Sequence, residues 1–120
     1  MEKKELGNWG EDKAAAFLRR KGYRILERNY SCRFGEIDII AGKGEVIAFV
    51  EVKLRKNDSF AEAREFVTYS KQKRIISTAQ MWMLQNNSQL QPRFDVIEIY
   101  APHGASSFRL TINHIEDAFQ

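Results

Sequence analysis

The chain lacks the features that mark secreted and membrane proteins. Cys32 is its single cysteine, so an intrachain disulfide is excluded and a reducing compartment is favoured. The longest apolar run, residues 46–50, is far too short to cross a bilayer, and the first residues lead into no apolar segment like that of a secretory signal. We therefore expect a cytoplasmic protein with no membrane partner.

Several catalytic signatures are also missing. Cys32 has no histidine near it in the sequence, so we expect an ordinary thiol and not a nucleophile. His103 and His114 lack the spacing of metal ligands and are expected at the surface. Residues 42–44 are too few for a phosphate-binding loop and belong to a turn signal. Cysteine catalysis, histidine-bound zinc and P-loop chemistry are therefore not favoured.

What is present fits one folded domain with a basic surface. A length of 120 residues is typical of a single domain, and an apolar fraction of 43% suffices for one packed core. The charged residues, 29% of the chain, are mixed in sign, which argues against disorder. The net charge of +3 and the pI near 9.1 are compatible with a polyanionic partner.

Hydrophobic periodicity predicts the element order α-β-β-β-α-β. Residues 6–21 and 70–86 carry apolar side chains at helical spacing, and Gly22 supplies a stop signal for the first helix. The other predicted elements are strands at 23–30, 36–41, 46–54, 94–100 and, more weakly, 108–112, a short helical piece at 61–66, and a last helical turn capped by Asn113 and running to Phe119. The first three strands should form an antiparallel meander, and the third and fourth should be parallel.

The hairpin of the second and third strands concentrates charged residues. Because successive side chains of a strand alternate between faces, Asp38 is predicted to face away from Ile37 and Ile39. The same rule puts Glu51 and Lys53 on one face of the third strand. With the turn centred on Gly44-Glu45, the predicted cross-strand pairs are Asp38 with Glu51, Glu36 with Lys53, and Ile40 with Phe49. The second of these pairs is interpreted as an ordinary salt bridge.

The Asp38–Glu51 pair is the feature that needs an explanation. Like charges directly opposite one another destabilise a sheet, and the apolar neighbours Ile40 and Phe49 argue against full solvation of this face. Two carboxylates held in this way share either a proton or a cation. Oxygen ligands suit Mg²⁺ or Mn²⁺. The alternative is a solvated hairpin face on which the charges serve solubility.

Residues on the two helices are candidates to join this pair. Glu11 is in line with Ala14 and Leu18 at helical spacing, so we expect its side chain to point toward the sheet. The alternative is a first-turn glutamate that is favoured only by the helix dipole. Positive charge at the start of the long helix opposes the dipole unless an anion binds there. The residues expected to bind phosphate or to face the same cleft are Lys71, Gln72, Arg74, Arg55 and Lys56. A solvated basic surface is the alternative.

With Asp38 and then Glu51-Val52-Lys53 on adjacent strands of an α-β-β-β-α-β chain, the sequence resembles the PD-(D/E)XK nuclease superfamily. More closely it resembles the YraN family, small bacterial proteins that are similar to archaeal Holliday-junction resolvases. The matching segments cover most of the chain and include Gly10-Glu11, Gly22-Tyr23, Arg28-Asn29, residues 35–40, residues 49–55, Lys71 with Arg74, and residues 93–96. The superfamily motif alone is short, whereas the whole set in this order is highly specific for the YraN family.

The resemblance implies a restriction-endonuclease-like αβββαβ core, an α/β fold in which helices flank a mixed sheet. The implied ligands of a divalent metal, Mg²⁺ or Mn²⁺, are Asp38, Glu51 and Glu11, with the Val52 carbonyl as a further candidate. Lys53 would position or activate the attacking water and offset charge on the phosphate. Lys71 or Gln72 would assist from the long helix.

The expected function is a metal-dependent endonuclease that hydrolyses phosphodiester bonds in DNA, with branched or damaged structures as candidate substrates. A non-catalytic nucleic-acid-binding module is the first alternative, and the opposed charges of Asp38 and Glu51 speak against it because a mere binder has no need of them. A recruitment protein for a DNA-processing partner is the second. Whether the protein acts as a homodimer is left open by the sequence.

Overall fold

The computed structural model describes residues 3–55, 67–104, 107 and 110–120. Its elements in chain order are α1 (Lys3–Arg20), β1 (Arg24–Cys32), β2 (Gly35–Lys43), β3 (Val46–Arg55), α2 (Tyr69–Gln85), β4 (Gln91–Tyr100) and β5 (Thr111–Phe119). The strands form one sheet in the order β1-β2-β3-β4-β5, in which β3 and β4 are parallel and the other neighbours antiparallel. The predicted α/β fold, a mixed sheet flanked by helices, is confirmed. The helical piece expected at 61–66 lies outside the described residues.

Each helix packs on its own apolar cluster, and the two clusters use opposite faces of the sheet. The α1 cluster consists of Ala14, Ala15, Leu18, Tyr23, Ile39, Ala41, Ala48, Val50, Ile97 and Ile99. The α2 cluster includes Ile37, Ile40, Ile47, Phe49, Ile75, Ala79, Trp82 and Val96. Consecutive residues Phe49 and Val50 of β3 belong to different clusters, as side-chain alternation requires. Glu51 and Lys53 continue the row of Phe49, so they lie on the α2 side.

Caps fix where the helices begin and end. Gly22, with φ of 94°, follows the end of α1, and the N–H of Tyr23 donates to the carbonyl of Leu18 at 3.0 Å, as in a Schellman motif. At the start of α2, Oγ1 of Thr68 accepts from the N–H of Lys71 at 3.1 Å. Within the described ranges, neither helix is long and apolar enough to cross a membrane.

The alternation predicted for β2 is wrong at Ile37. Ile37 packs in the α2 cluster together with Ile40, whereas Ile39 packs in the α1 cluster. On β1, the residue across from Asp38 is Asn29, whose backbone has φ of 53°. A residue in the left-handed region interrupts the regular pleat and changes which face its neighbours use. Asp38 therefore lies at an interruption of the sheet and not within a uniform strand.

The C-terminal region also differs from the prediction. Asn113 caps no helix, because residues 113–119 belong to β5, and the first residues of the strand predicted at 108–112 lie outside the described residues. Ile112 and Ile115 are spaced as on a helix face, but Ile112 packs against the α1 cluster and Ile115 against the α2 cluster. A strand that places side chains on both faces of a sheet satisfies this arrangement, and antiparallel pairing with β4 stabilises it.

A buried carboxylate on β4 ties the end of β5 to the sheet. Both oxygens of Asp95 accept from Arg93, at 2.9 and 2.8 Å, and they also contact His114 Nε2 at 2.8 Å and the Asp117 N–H at 3.0 Å. Burial alone would raise the pKa of Asp95, but hydrogen bonds from His114 and Arg93 outweigh it and hold the pKa below its ordinary value. The expectation that His114 lies at the surface is wrong, since its side chain is 2% exposed.

We expect Asp95→Ala to lower the free energy of unfolding by about 3 kcal/mol at pH 7, because Arg93 loses its buried counter-charge. Chemical denaturation followed by circular dichroism measures the change. A carboxylate with a lowered pKa contributes stability above its unfolded pKa, and this contribution disappears as the pH falls through the folded value. The difference between wild type and Asp95→Ala should therefore shrink in acid.

Asp12→Ala is the matched control. Asp12 also pairs with an arginine, at 2.8 Å from Arg28 Nη2, but its side chain is 65% exposed. Solvent screens such a pair, so we expect a change of no more than about 1 kcal/mol. Equal losses in the two variants would contradict the view that the Asp95 network holds β5 in place.

Candidate functional site

The candidate site lies where β2 and β3 stop pairing. The predicted register is confirmed at Ile40–Phe49, and the ladder extends toward the site as far as Ile39–Val50. Beyond this pair, the Val52 N–H donates to Oδ2 of Asp38 at 2.8 Å. The side chain of Asp38 thus supplies the hydrogen-bond acceptor that the Val52 N–H lacks where strand pairing has ended. The same bond holds Asp38 against β3, the strand that carries Glu51.

Burial and the charge of Glu51 both act on Asp38. The pKa of Asp38 rises from an ordinary value of 3.8 to about 7, mainly because the group is buried and next because of the Glu51 charge. The hydrogen bond from Val52 acts in the opposite direction, and the charge of Glu11 adds a smaller increase. The structure therefore brings Glu51 and Glu11 within electrostatic reach of Asp38.

Glu51 is the most closely partnered group of the site. Its side chain is buried, and Oε1 lies 2.7 Å from Lys71 Nζ and 3.8 Å from Lys53 Nζ. The predicted Glu36–Lys53 salt bridge is wrong, because Lys53 pairs with Glu51 on its own strand and the side chain of Glu36 is exposed. The reason is that the pairing of β2 with β3 ends at Ile39–Val50. Glu36 and Lys53 lie beyond this pair and are therefore not cross-strand neighbours.

The two lysines differ in how firmly they hold their protons. Burial, and next the charge of Lys71, lowers the pKa of Lys53. Burial acts in the same direction on Lys71, but the contact with Glu51 outweighs it and raises the pKa of Lys71. Lys71 is therefore the fixed positive partner of Glu51, and Lys53 is the lysine that gives up its proton more easily.

Glu11 reaches the site from α1. Its Oε1 is buried and has no hydrogen-bond partner among the described residues, although Arg28 Nη2 lies 3.7 Å away. Burial raises the pKa of Glu11, and Arg28 only partly offsets that effect. A buried carboxylate oxygen without a donor is unfavourable, so this position favours an added cation or water.

The donor set suits a cation that keeps much of its water. In the described parts of the chain, no group of three or more His, Cys, Asp or Glu side chains is arranged so that it could hold a metal ion. Asp38, which is half-buried, nevertheless lies within electrostatic reach of the buried Glu51. Two protein carboxylates with several waters match the usual coordination of Mg²⁺. The residues present therefore fit a weakly enclosed divalent ion, with Glu11 beside the pair.

A cleft opens beside the site at the start of α2. This α2 cleft has a volume of about 390 Å³ and is lined by Gly35, Glu36, Thr68, Ser70, Lys71 and Arg74, among others. Lys71 connects it to Glu51, and Arg74 is exposed on the same helix. Two of the predicted contact residues lie elsewhere: Gln72 donates to the Val67 carbonyl at 2.8 Å, and Arg55 is half-buried at the end of β3. Lys56 lies outside the described residues.

Sequence reasoning missed one residue that lines this cleft, Thr68. The predicted helix began at Ser70, whereas Thr68 is the N-cap and Tyr69 is the first helical residue. The signal was present, because a threonine directly before an amphipathic segment is a common helix start. Thr68 therefore both caps α2 and lines the cleft.

Comparison with known proteins gives a consistent family assignment. Residues 10–99 match the model of a family described as "Uncharacterised protein family UPF0102". A UPF0102 protein of Clostridium perfringens is 46% identical over 118 residues, which cover 98% of this chain and 95% of the relative. UPF0102 proteins of Caldanaerobacter subterraneus (44% over 123 residues, 99% and 98% covered) and Vibrio parahaemolyticus (47% over 100 residues, 82% and 83% covered) are similar too. None of these names states an activity.

We expect Asp38→Asn to stabilise the fold at pH 8 by about 1–2 kcal/mol, since asparagine keeps an oxygen for the Val52 N–H and removes an unfavourable buried charge. A carboxylate whose pKa is higher in the folded than in the unfolded protein destabilises the fold, and this penalty is complete above the folded-state pKa. For Asp38 the penalty fades as the pH falls from about 7 toward 3.8. The gain from Asp38→Asn should therefore be smaller at pH 5 than at pH 8. Chemical denaturation at the two pH values measures it.

Glu45→Gln supplies the comparison for this substitution. Glu45 is an exposed carboxylate in the turn of the same hairpin, and we expect a change within about 0.5 kcal/mol at either pH. If Asp38→Asn destabilised the protein at pH 8, or if its gain did not depend on pH, the electrostatic account of the Asp38–Glu51 pair would be wrong.

Proposed function

The chain belongs to the UPF0102 family, which is the YraN family, and on that premise we propose that it is a divalent-metal-dependent endonuclease that hydrolyses phosphodiester bonds in DNA. One observation carries the proposal. Asp38 is held within electrostatic reach of the buried Glu51, although burial first and the Glu51 charge second raise the pKa of Asp38 to about 7. Such an arrangement costs stability, and proteins retain unfavourable charge pairs of this kind mainly at functional sites.

The residues around the pair have roles that fit hydrolysis of a phosphodiester. Asp38 and Glu51 would hold Mg²⁺ or Mn²⁺, which when bound polarises a phosphoryl oxygen and makes water more acidic. Lys53 lies 3.8 Å from Glu51, and its lowered pKa suits a group that positions the attacking water and accepts its proton. Glu11, whose buried Oε1 has an ion-pair contact with Arg28 but accepts no hydrogen bond from the described residues, would orient water on the α1 side.

A phosphate backbone would be received by the basic start of α2. Lys71 contacts Glu51 and also lines the α2 cleft, where Arg74 is exposed. A phosphate held by Lys71 would therefore lie beside the two carboxylates. Arg55 lies outside the cleft, half-buried at the end of β3, and would add positive charge only beyond it. Gln72, whose amide holds the Val67 carbonyl, would support the cleft wall and not contact the substrate directly.

The second candidate is a nucleic-acid-binding module without catalysis. One observation favours it: Lys71 and Lys53 already offset the charge of Glu51, so the site is nearly balanced without any added ion. In such a protein the lysines would bind phosphate and the carboxylates would only position them. Cleavage assays separate the two candidates.

We expect the wild-type protein with Mg²⁺ or Mn²⁺ to cut at least one substrate among linear duplex, single-stranded and four-way-junction DNA. Asp38→Asn and Lys53→Met should each lower the rate by at least about 100-fold, because they remove a metal ligand and a proton acceptor. Binding of the same DNA, measured in EDTA, should survive Asp38→Asn. Gel assays of end-labelled substrates give the rates.

Glu45→Gln and Lys43→Met are the matched controls for charge. Both residues are exposed at the far end of the same hairpin, so their loss should leave the cleavage rate within about twofold of wild type. If the wild type binds every substrate and cuts none at any metal concentration tested, the binding module replaces the nuclease.

A further inference from the structure

Lys21, which directly follows α1, is joined to the buried Asp95 through one histidine. Its Nζ lies 2.7 Å from Nδ1 of His114, and Nε2 of the same ring lies 2.8 Å from Oδ2 of Asp95. The side chains of His114 and Asp95 are buried, whereas that of Lys21 is 34% exposed. An amine, an imidazole and a carboxylate therefore form one line that runs from solvent into the protein.

The ring of His114 is held in one orientation. Phe17 and Tyr23 contact it edge-on, with ring centres 6.2 and 6.1 Å away. An ammonium group donates hydrogen bonds and accepts none, so Nδ1 of His114 accepts from Lys21 and Nε2 donates its proton to Asp95. The ring nitrogen that can take up a further proton is therefore the one that faces Lys21.

Asp95 is suited to support an imidazole that takes up a proton. Burial acts to raise the pKa of Asp95, but hydrogen bonds from His114 and Arg93 outweigh it and keep the carboxylate ionised. A carboxylate behind an imidazole orients the ring and stabilises its protonated form. A nucleophile within hydrogen-bond reach of a base, which a third group orients in turn, is the arrangement of an activated nucleophile.

Lys21 also has an exposed acidic partner. Its Nζ lies 3.6 Å from Oε1 of Glu116, whose side chain is 49% exposed. Solvent screens such a pair, so its effect on the lysine is small. The contact with His114 is shorter, and the imidazole is buried. The base is therefore the neighbour with the larger influence on Nζ.

The surroundings of Lys21 favour a small anionic reagent. Arg19 and Arg20 precede it in the last turn of α1, and both are exposed. Positive charge of this kind raises the local concentration of anions. Because Nζ is only partly exposed, a small molecule reaches it more easily than a large one. An acyl phosphate is small, and it combines an anionic phosphate with an activated carbonyl group.

We propose that Lys21 is a site of acylation by small acyl phosphates, with His114 as the general base and Asp95 as the residue that orients this base. The amine attacks the acyl carbon, the bond from this carbon to the phosphate oxygen breaks, and the phosphate leaves with the electron pair. Of the three protons of the ammonium group, one stays on the amide nitrogen, one passes through His114 to water, and one leaves with the phosphate. The inference is independent of the proposed nuclease function.

The test is acetylation of the native protein by acetyl phosphate at about pH 8, where an ordinary imidazole is neutral. Peptide mass spectrometry gives the rate at each lysine. Lys43 is the internal control, because it is exposed and, like Lys21, lies 5.3 Å from the centre of an aromatic ring, but has no imidazole partner among the described residues. Lys21 should react at least about tenfold faster than Lys43, since a positioned base accelerates the step. In urea the two rates should become equal.

Two substitutions separate the base from the ion pair. In His114→Gln the amide can still donate to Asp95 and accept from Lys21, but it takes up no proton. This variant should lower the rate at Lys21 about tenfold and leave Lys43 unchanged. Glu116→Gln is the matched control, because it removes the ion pair and keeps the base. It should not lower the rate at Lys21.

Three results would overturn the inference. They are equal rates at Lys21 and Lys43 in the native wild type, an advantage of Lys21 that persists in urea, and an unchanged rate at Lys21 in folded His114→Gln. A loss in Glu116→Gln as large as that in His114→Gln would also overturn it, because the acidic partner would then be the cause. The comparison of native and urea-treated wild type decides the question even if His114→Gln does not fold.

Discussion

The hydrogen bond from the Val52 N–H to Asp38 is the contact on which the candidate site depends. It closes the gap that opens when β2 and β3 stop pairing, and a buried N–H left without a partner would cost about 1–3 kcal/mol. The same bond holds a carboxylate next to Glu51, where its pKa rises to about 7. The strand divergence that leaves the Val52 N–H without a ladder partner is therefore also what places the Asp38 carboxylate within electrostatic reach of Glu51.

Lys71 connects the carboxylates of the candidate site to the α2 cleft at the surface. Its Nζ lies 2.7 Å from Glu51, and its stem lines the α2 cleft beside Arg74. An ammonium group has three donors, so it can hold the carboxylate and still contact a phosphate. Lys53 is placed differently, since burial and the neighbouring Lys71 lower its pKa. The two lysines near Glu51 therefore differ in how firmly they hold their protons.

Much of this arrangement follows from local sequence rules. Alternation along β3 correctly separated Phe49 from Val50, and a turn at Gly44-Glu45 correctly gave the Ile40–Phe49 register. The helices and the strand order were predictable because their apolar patterns are regular and long. Glu11 was predicted to face the sheet from helical spacing alone, and its charge does reach Asp38. Each of these features is set by residues near one another in the chain.

The failures share a physical cause, which is a local departure from regular strand pairing. Glu36 was assigned to Lys53 on the assumption that the hairpin stays paired, and Ile37 was placed with Ile39 on the assumption of a uniform pleat. Both assumptions fail at Asp38, across from the left-handed backbone of Asn29. Regular rules break down where a chain departs from regular structure, and such departures concentrate at functional sites. The interrupted pleat therefore marks this position as a candidate site independently of the charges it carries.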